Sequence, residues 1–183
     1  SSSLGAVTIQ GTNLTTVYKS LFINFPVNDG INMMNIKYLT INNTLFDNSC
    51  FNITTSMITL FTFNQNLMQN LRNNQYNSYF GIINCNIKKA EIKNCTFYNN
   101  SCKSLYGGGI GLIIQGIQNI SFNNCSFISN IALQDKSQSR PNQNSNIPYY
   151  NGDGGAIQLG YFSSEILNMN VMFDKCTFKN NEA

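Results

Sequence analysis

The side chains here best suited to acid–base or metal chemistry are eight carboxylates and six thiols; histidine is absent. Polysaccharide hydrolases and lyases need two carboxylates held close, clustered Asp around calcium, or a basic residue that accepts a proton. Asp29, Asp47, Asp135, Asp153 and Asp174 each stand alone, with no DD or DxD pair. Asp153 and Asp174 read as turn residues, and Arg72 and Arg140 fall in expected loops. A pectate-lyase-like enzyme is therefore the weakest reading. The expectation is no catalysis, no cofactor and no metal.

The thiols carry a different chemistry. Zinc sites draw on CxxC pairs and histidines, and neither occurs here. Cys95, Cys125 and Cys176 share one repeat position and are expected as stacked buried thiols in preference to disulfides, because parallel side chains suit an S–S bridge poorly. Cys50 and Cys102 both end an NSC tripeptide and are the candidate disulfide pair.

A third chemistry is modification. Seven N-x-S/T sequons stand at Asn13, Asn42, Asn52, Asn94, Asn99, Asn119 and Asn124. About five would arise by chance in a chain this rich in Asn, Ser and Thr, so the motif itself carries little. Asn52 and Asn99 are expected at turns, the better places for a glycan. Asn94 and Asn124 precede inward cysteines and are expected to point outward.

These residues are positioned by a repeat. Gly154-Gly155-Ala156-Ile157 is followed later by KCTFKNN, ending at Asn181. The same order runs from GGGIGL at Gly107 to ISFNNCSFISN, and from FGIINC at Phe80 to EIKNCTFYNN. Weaker copies begin at Asp29 and Leu4. Aligned, they give an aromatic ladder of Phe22, Phe46, Phe97, Phe127 and Phe178. An amide ladder follows it: Asn24, Asn48, Asn100, Asn130 and Asn181. Stacking such coils about 4.8 Å apart places equivalent residues over one another. Phe then stacks on Phe, and Asn amides bond along the axis. The glycines before each first strand are expected to supply positive φ.

The expected fold is all-β: a right-handed single-stranded parallel β-helix, one domain over 1–183, with about five coils. The Phe spacings of 24 and 30 suit one coil, and those of 51 imply insertions. Two inserted loops are expected, at 49–79 and 131–153. The first contains SMITLFTF, which could add a local strand pair. The last residues, KNNEA, stop where another GGAI would begin, which suggests a segment of a longer chain or an end that meets another subunit.

Composition agrees. Charged residues make up 10% and the net charge is +3, with the basic residues scattered singly. No basic stripe exists for nucleic acid, and no run is long enough to span a bilayer. The polarity comes from 32 asparagines, which disfavour helix and favour turns.

GGAI paired with FxxN resembles the repeats of chlamydial polymorphic outer membrane proteins, related autotransporter passengers and large protist surface proteins. GGAI is whole at Gly154–Ile157, and FxxN at Phe97, Phe127 and Phe178; the first two copies show FxN instead. The resemblance implies a parallel β-helix outside the cell or on its surface, with a structural or adhesive role. The leading expectation is a β-helix glycoprotein unit that self-associates into a surface filament or stalk. The alternative is an adhesin that binds glycans or a receptor through its loops, with Tyr149, Tyr150 and Tyr161 as contact residues.

Overall fold

In the computed structural model the described residues are 7–23, 31–34, 36–48, 51–54, 58–70, 72–73, 81–83, 87–103, 112–115, 117–133, 155–160 and 170–182. They form strands, corners and no helix.

The described residues wind through six rungs. The first holds β1 (Val7–Gln10), β2 (Leu14–Tyr18) and β3 (Leu21–Ile23). The second holds β4 (Ile31–Met34), β5 (Tyr38–Asn42) and β6 (Leu45–Asp47). The third adds a fourth strand: β7 (Phe51–Thr54), β8 (Ile58–Asn64), β9 (Leu67–Gln69) and β10 (Arg72–Asn73). The fourth is β11 (Gly81–Ile83), β12 (Ile87–Lys93), β13 (Thr96–Tyr98) and β14 (Ser101–Lys103). The fifth is β15 (Leu112–Gln115), β16 (Ile117–Asn123), β17 (Ser126–Ile128) and β18 (Ile131–Leu133). The sixth is β19 (Ile157–Gly160), β20 (Asn170–Asp174) and β21 (Thr177–Lys179).

Corresponding strands of successive rungs pair in parallel, giving three six-stranded sheets and one three-stranded sheet. This is a parallel β-helix, as the repeat predicts. The sheets stay separate, joined by corners rather than closed into one barrel.

The corners explain the asparagine bias. One residue at each corner adopts the left-handed conformation, which Asn tolerates better than other side chains. At the first corner these are Lys19, Asn43, Gln65, Asn94, Asn124 and Lys175 (φ 47–53°). At the second they are Asn48, Asn70, Asn99, Ser129 and Asn180 (φ 48–55°). In the first five rungs each N–H here donates to a carbonyl of the next rung, as in Asn94 N to Asn123 O at 2.9 Å. The turn therefore stays within the stacking pattern.

Alternation along the strands buries one face. Leu39, Ile41, Phe61, Phe63, Ala90, Ile92, Ile120 and Phe122 come from the second sheet. Phe46, Met68, Phe97 and Phe127 come from the third, and all twelve are buried in one core.

Three expectations change. Residues 49–79 are not one inserted loop. They contain the third rung, whose β8 pairs with both β5 and β12 in register. The Phe46-to-Phe97 spacing is thus two rungs, with Met68 opposite both phenylalanines. The Phe127-to-Phe178 spacing is a single step between adjacent rungs. The second insertion starts later than expected, because Ile131–Leu133 is a strand; residues 134–154 lie outside the described set.

The third change concerns glycine. Gly155 of GGAI is buried without a positive φ. A Cβ there would run into the main chain of Glu182. Close backbone approach, not conformational freedom, is what this glycine supplies.

Candidate functional site

The first-corner column points its second residue inward. It runs Ser20, Thr44, Asn66, Cys95, Cys125, Cys176, and its middle four members are buried. The three cysteines are free thiols on successive rungs. Each donates to main-chain carbonyls. Cys95 Sγ lies 3.0 Å from Lys93 O, and Cys125 Sγ lies 3.3 Å from Asn123 O. Cys176 Sγ lies 3.4 Å from Asp174 O. Burial pushes the Cys95 thiol well above the ordinary thiol range. Cys125 can receive the Cys95 S–H, so within this pair Cys125 is the one drawn down. Burial also raises Cys176. Asn66 takes the same position in the third rung. Its amide accepts from Thr44 N at 2.8 Å and donates to Ile41 O at 2.9 Å, so the buried polar group is satisfied on both sides.

The Asn100–Asn130–Asn181 column works similarly. Asn130 Oδ1 accepts from Asn100 N at 3.2 Å, while Asn130 Nδ2 donates to Phe97 O at 3.1 Å. Asn181 repeats this one rung on, with Asn130 N and Phe127 O. Each amide acts as an extra main-chain link between rungs. Asn48 does not belong to this column. It sits at the left-handed second corner beside Asn70 and Asn99, one residue earlier in the repeat. Asn24 lies outside the described residues.

The aromatic column is continuous in a way the repeat does not show. Phe22 stacks on Phe46 (5.3 Å between centroids), Phe97 on Phe127 (4.7 Å) and Phe127 on Phe178 (5.0 Å). Between Phe46 and Phe97, where Met68 stands in register, Phe63 leans across from the neighbouring sheet. It stacks against both, at 6.2 and 6.3 Å. A second column, Phe122 on Phe173 at 4.8 Å, is also absent from the sequence ladders.

The remaining predicted residues scatter. Among the sequons, Asn13, Asn94, Asn119 and Asn124 are exposed, and Asn42 and Asn99 are half-buried. Asn94 and Asn124 point outward as expected, and their amides bond to one another at 2.9 Å. Asn99 lies at a corner, where it donates to Asn70 Oδ1 at 2.7 Å. Asn52 is in β7 and not in a turn. Cys50 lies outside the described residues, and so do Tyr149, Tyr150 and Tyr161. Cys102 is in β14, paired in register with Asn73 and Ala132.

Among the described residues the acids do not converge; Asp29, Asp135 and Asp153 lie outside that set. Asp47 accepts from Gln69 and Asn70 at the second corner, at 3.0 and 2.9 Å. Asp174 accepts from Asn123 at 2.9 Å at the first. Glu91 faces outward between Lys89 and Lys93, and its hydrogen bonds to both hold its carboxyl below the usual range. Among the described residues no three His, Cys, Asp or Glu are grouped to hold a metal ion, and no helix is long and apolar enough to cross a membrane.

The sixth rung is less covered than the two before it. Phe97, Phe122 and Phe127 are fully buried, whereas Phe173 and Phe178, in the same columns, are 45% and 51% exposed. At the opposite end Leu14 and Leu21 are exposed.

No family model matches the chain, and neither a curated relative nor a solved structure matches it.

Proposed function

We propose that this chain is a non-catalytic structural unit of an extracellular or cell-surface filament or stalk. The observation that carries the reading is the uninterrupted column packing. Thiol, amide and aromatic columns run through successive rungs, and the Cys95, Cys125 and Asn130 side chains donate to carbonyls of the rung before, Phe63 O, Ile92 O and Phe97 O. Such a solenoid adds stability rung by rung and builds length rather than a pocket. The resemblance of GGAI and FxxN to repeats of surface proteins supports the location, and the outward sequons at Asn94 and Asn124 suit a glycoprotein.

The test is immunogold electron microscopy of the cells that make the protein. Label along filaments or stalks outside the cell is the expected result. Label confined to the cytoplasm would sink the reading.

A further inference from the structure

We propose that the outer face of the second sheet is a lane that binds an acidic polysaccharide lying along the solenoid axis. The inference goes beyond the structural reading above and stands or falls separately from it, since a stalk without this affinity is still a stalk.

Winding gathers charge that is spread along the chain. Six of the eleven basic residues come to this one side. Lys37, Lys88 and Lys89 stand where second-sheet strands begin, and Lys19, Lys93 and Lys175 stand where they end. All six are exposed. Among the described residues this side holds two acids, Glu91 and Asp174. The third sheet, by contrast, holds one base, Lys179, and one acid, Asp47.

Between the two lysine groups runs a file of outward side chains in register on successive rungs. Its members are Thr16, Thr40, Thr62, Glu91 and Ser121. Stacking sets them about 4.8 Å apart along the axis, and four residues of strand set the two edges of the lane about 13 Å apart. A chain of pyranose rings is narrower than this and advances roughly one ring per rung. Its hydroxyls would meet the Thr and Ser hydroxyls, which both donate and accept. Acid groups on either side of the sugar chain would reach a lysine, giving charge-assisted hydrogen bonds.

Two of the ammoniums lie over exposed rings. Lys19 Nζ is 5.3 Å from the Tyr18 centroid, and Lys37 Nζ is 5.5 Å from that of Tyr38. Each pair sets an apolar surface for sugar C–H groups beside a cation for the acid. Duplex nucleic acid carries one charge per about 1.7 Å, far denser than lysines on the first, second, fourth and sixth rungs. Glu91 stands in the middle of the lane and holds Lys89 and Lys93, at 2.6 and 2.8 Å. It therefore competes with the ligand for both.

The test is calorimetric titration of the full chain, made in bacteria so that no N-glycan covers the corner. The probes are polymannuronate, heparin, dextran and duplex DNA at low salt. Polymannuronate or heparin should bind, more weakly as salt is added, and dextran should not. Tighter binding of one of the two names the acid group as carboxylate or sulfate. K93E should weaken binding about tenfold, and E91Q should tighten it about threefold. K179E makes the same change in net charge on the third sheet and should leave the affinity unchanged. Circular dichroism confirms that each exposed-site variant is folded. Equal losses from K93E and K179E would show an effect of net charge alone and overturn the lane. So would no binding of either acidic polysaccharide, or tighter binding of DNA than of both.

Discussion

Single side chains do the work of main chain in this fold. Asn130 is fully buried and serves an N–H and a C=O of the rung before it. Asn130→Leu keeps the bulk and removes both links, so it should lower unfolding free energy by about 2 kcal/mol. Asn181→Leu, at the half-buried end of the column, should cost less. Urea titration of the two variants checks the order. The thiols make a matching case. Cys95 and Cys125 are each 1% exposed, and burial holds Cys95 as a thiol. Reagent needs an accessible thiolate. In pulsed alkylation with mass spectrometry, Cys95 and Cys125 should label only as fast as the protein unfolds, with the half-buried Cys176 ahead of them. Rapid labelling of Cys95 in native protein would contradict the column.

Between elements, the third rung shows how two sheets share one seat. Met68 occupies the phenylalanine position, and Phe63 from the second sheet fills the space beside it. Phe63 itself stands in register with Ile41 and Ile92. Met68→Phe would restore the ladder on paper, yet two rings would then compete for one volume. Overpacking of this kind costs about 1–3 kcal/mol. Met68→Phe should therefore destabilise, and Met68→Phe with Phe63→Ile should recover most of the loss. Thermal unfolding of the two singles and the double gives the coupling directly. Simple additivity would mean the rings do not share that seat.

For the whole molecule, the consequence of rung stacking is modularity. Asn94 and Asn124 occupy equivalent corners, and so do Cys95 and Cys125. Excising residues 95–124 joins Asn94 to Cys125 and removes one turn without changing any column's phase. Repeat stability is approximately a sum of units and neighbour contacts. The shortened protein should keep its β circular-dichroism spectrum and unfold at a lower temperature. Excising residues 95–123 shifts the phase by one and turns inward residues outward, so it should fail to fold. Comparing the two spectra makes the test.

The sequence by itself determined the local rules. Alternating apolar residues, a left-handed-tolerant Asn at the corners and the spacing of Phe97, Phe127 and Phe178 are set within a few residues of chain, so the β-helix and its last rungs were legible. Asn100, Asn130, Asn181 and the column of three thiols were legible for the same reason. Which residues stack was decided only in three dimensions, because rung contacts join residues 20 to 54 apart and corner lengths vary. A long spacing looks the same whether it holds an extra rung, as between Phe46 and Phe97, or an insertion, as between Phe127 and Phe178. Nothing local marks Met68 as a phenylalanine's equivalent, because its substitute Phe63 comes from another sheet. Asn48 belongs one column away from the amide ladder that its sequence position suggests, because the first two repeats lack the residue that fixes the count. Gly155 reads in sequence as a torsional glycine, whereas the backbone of Glu182, brought alongside by winding, is what excludes a side chain.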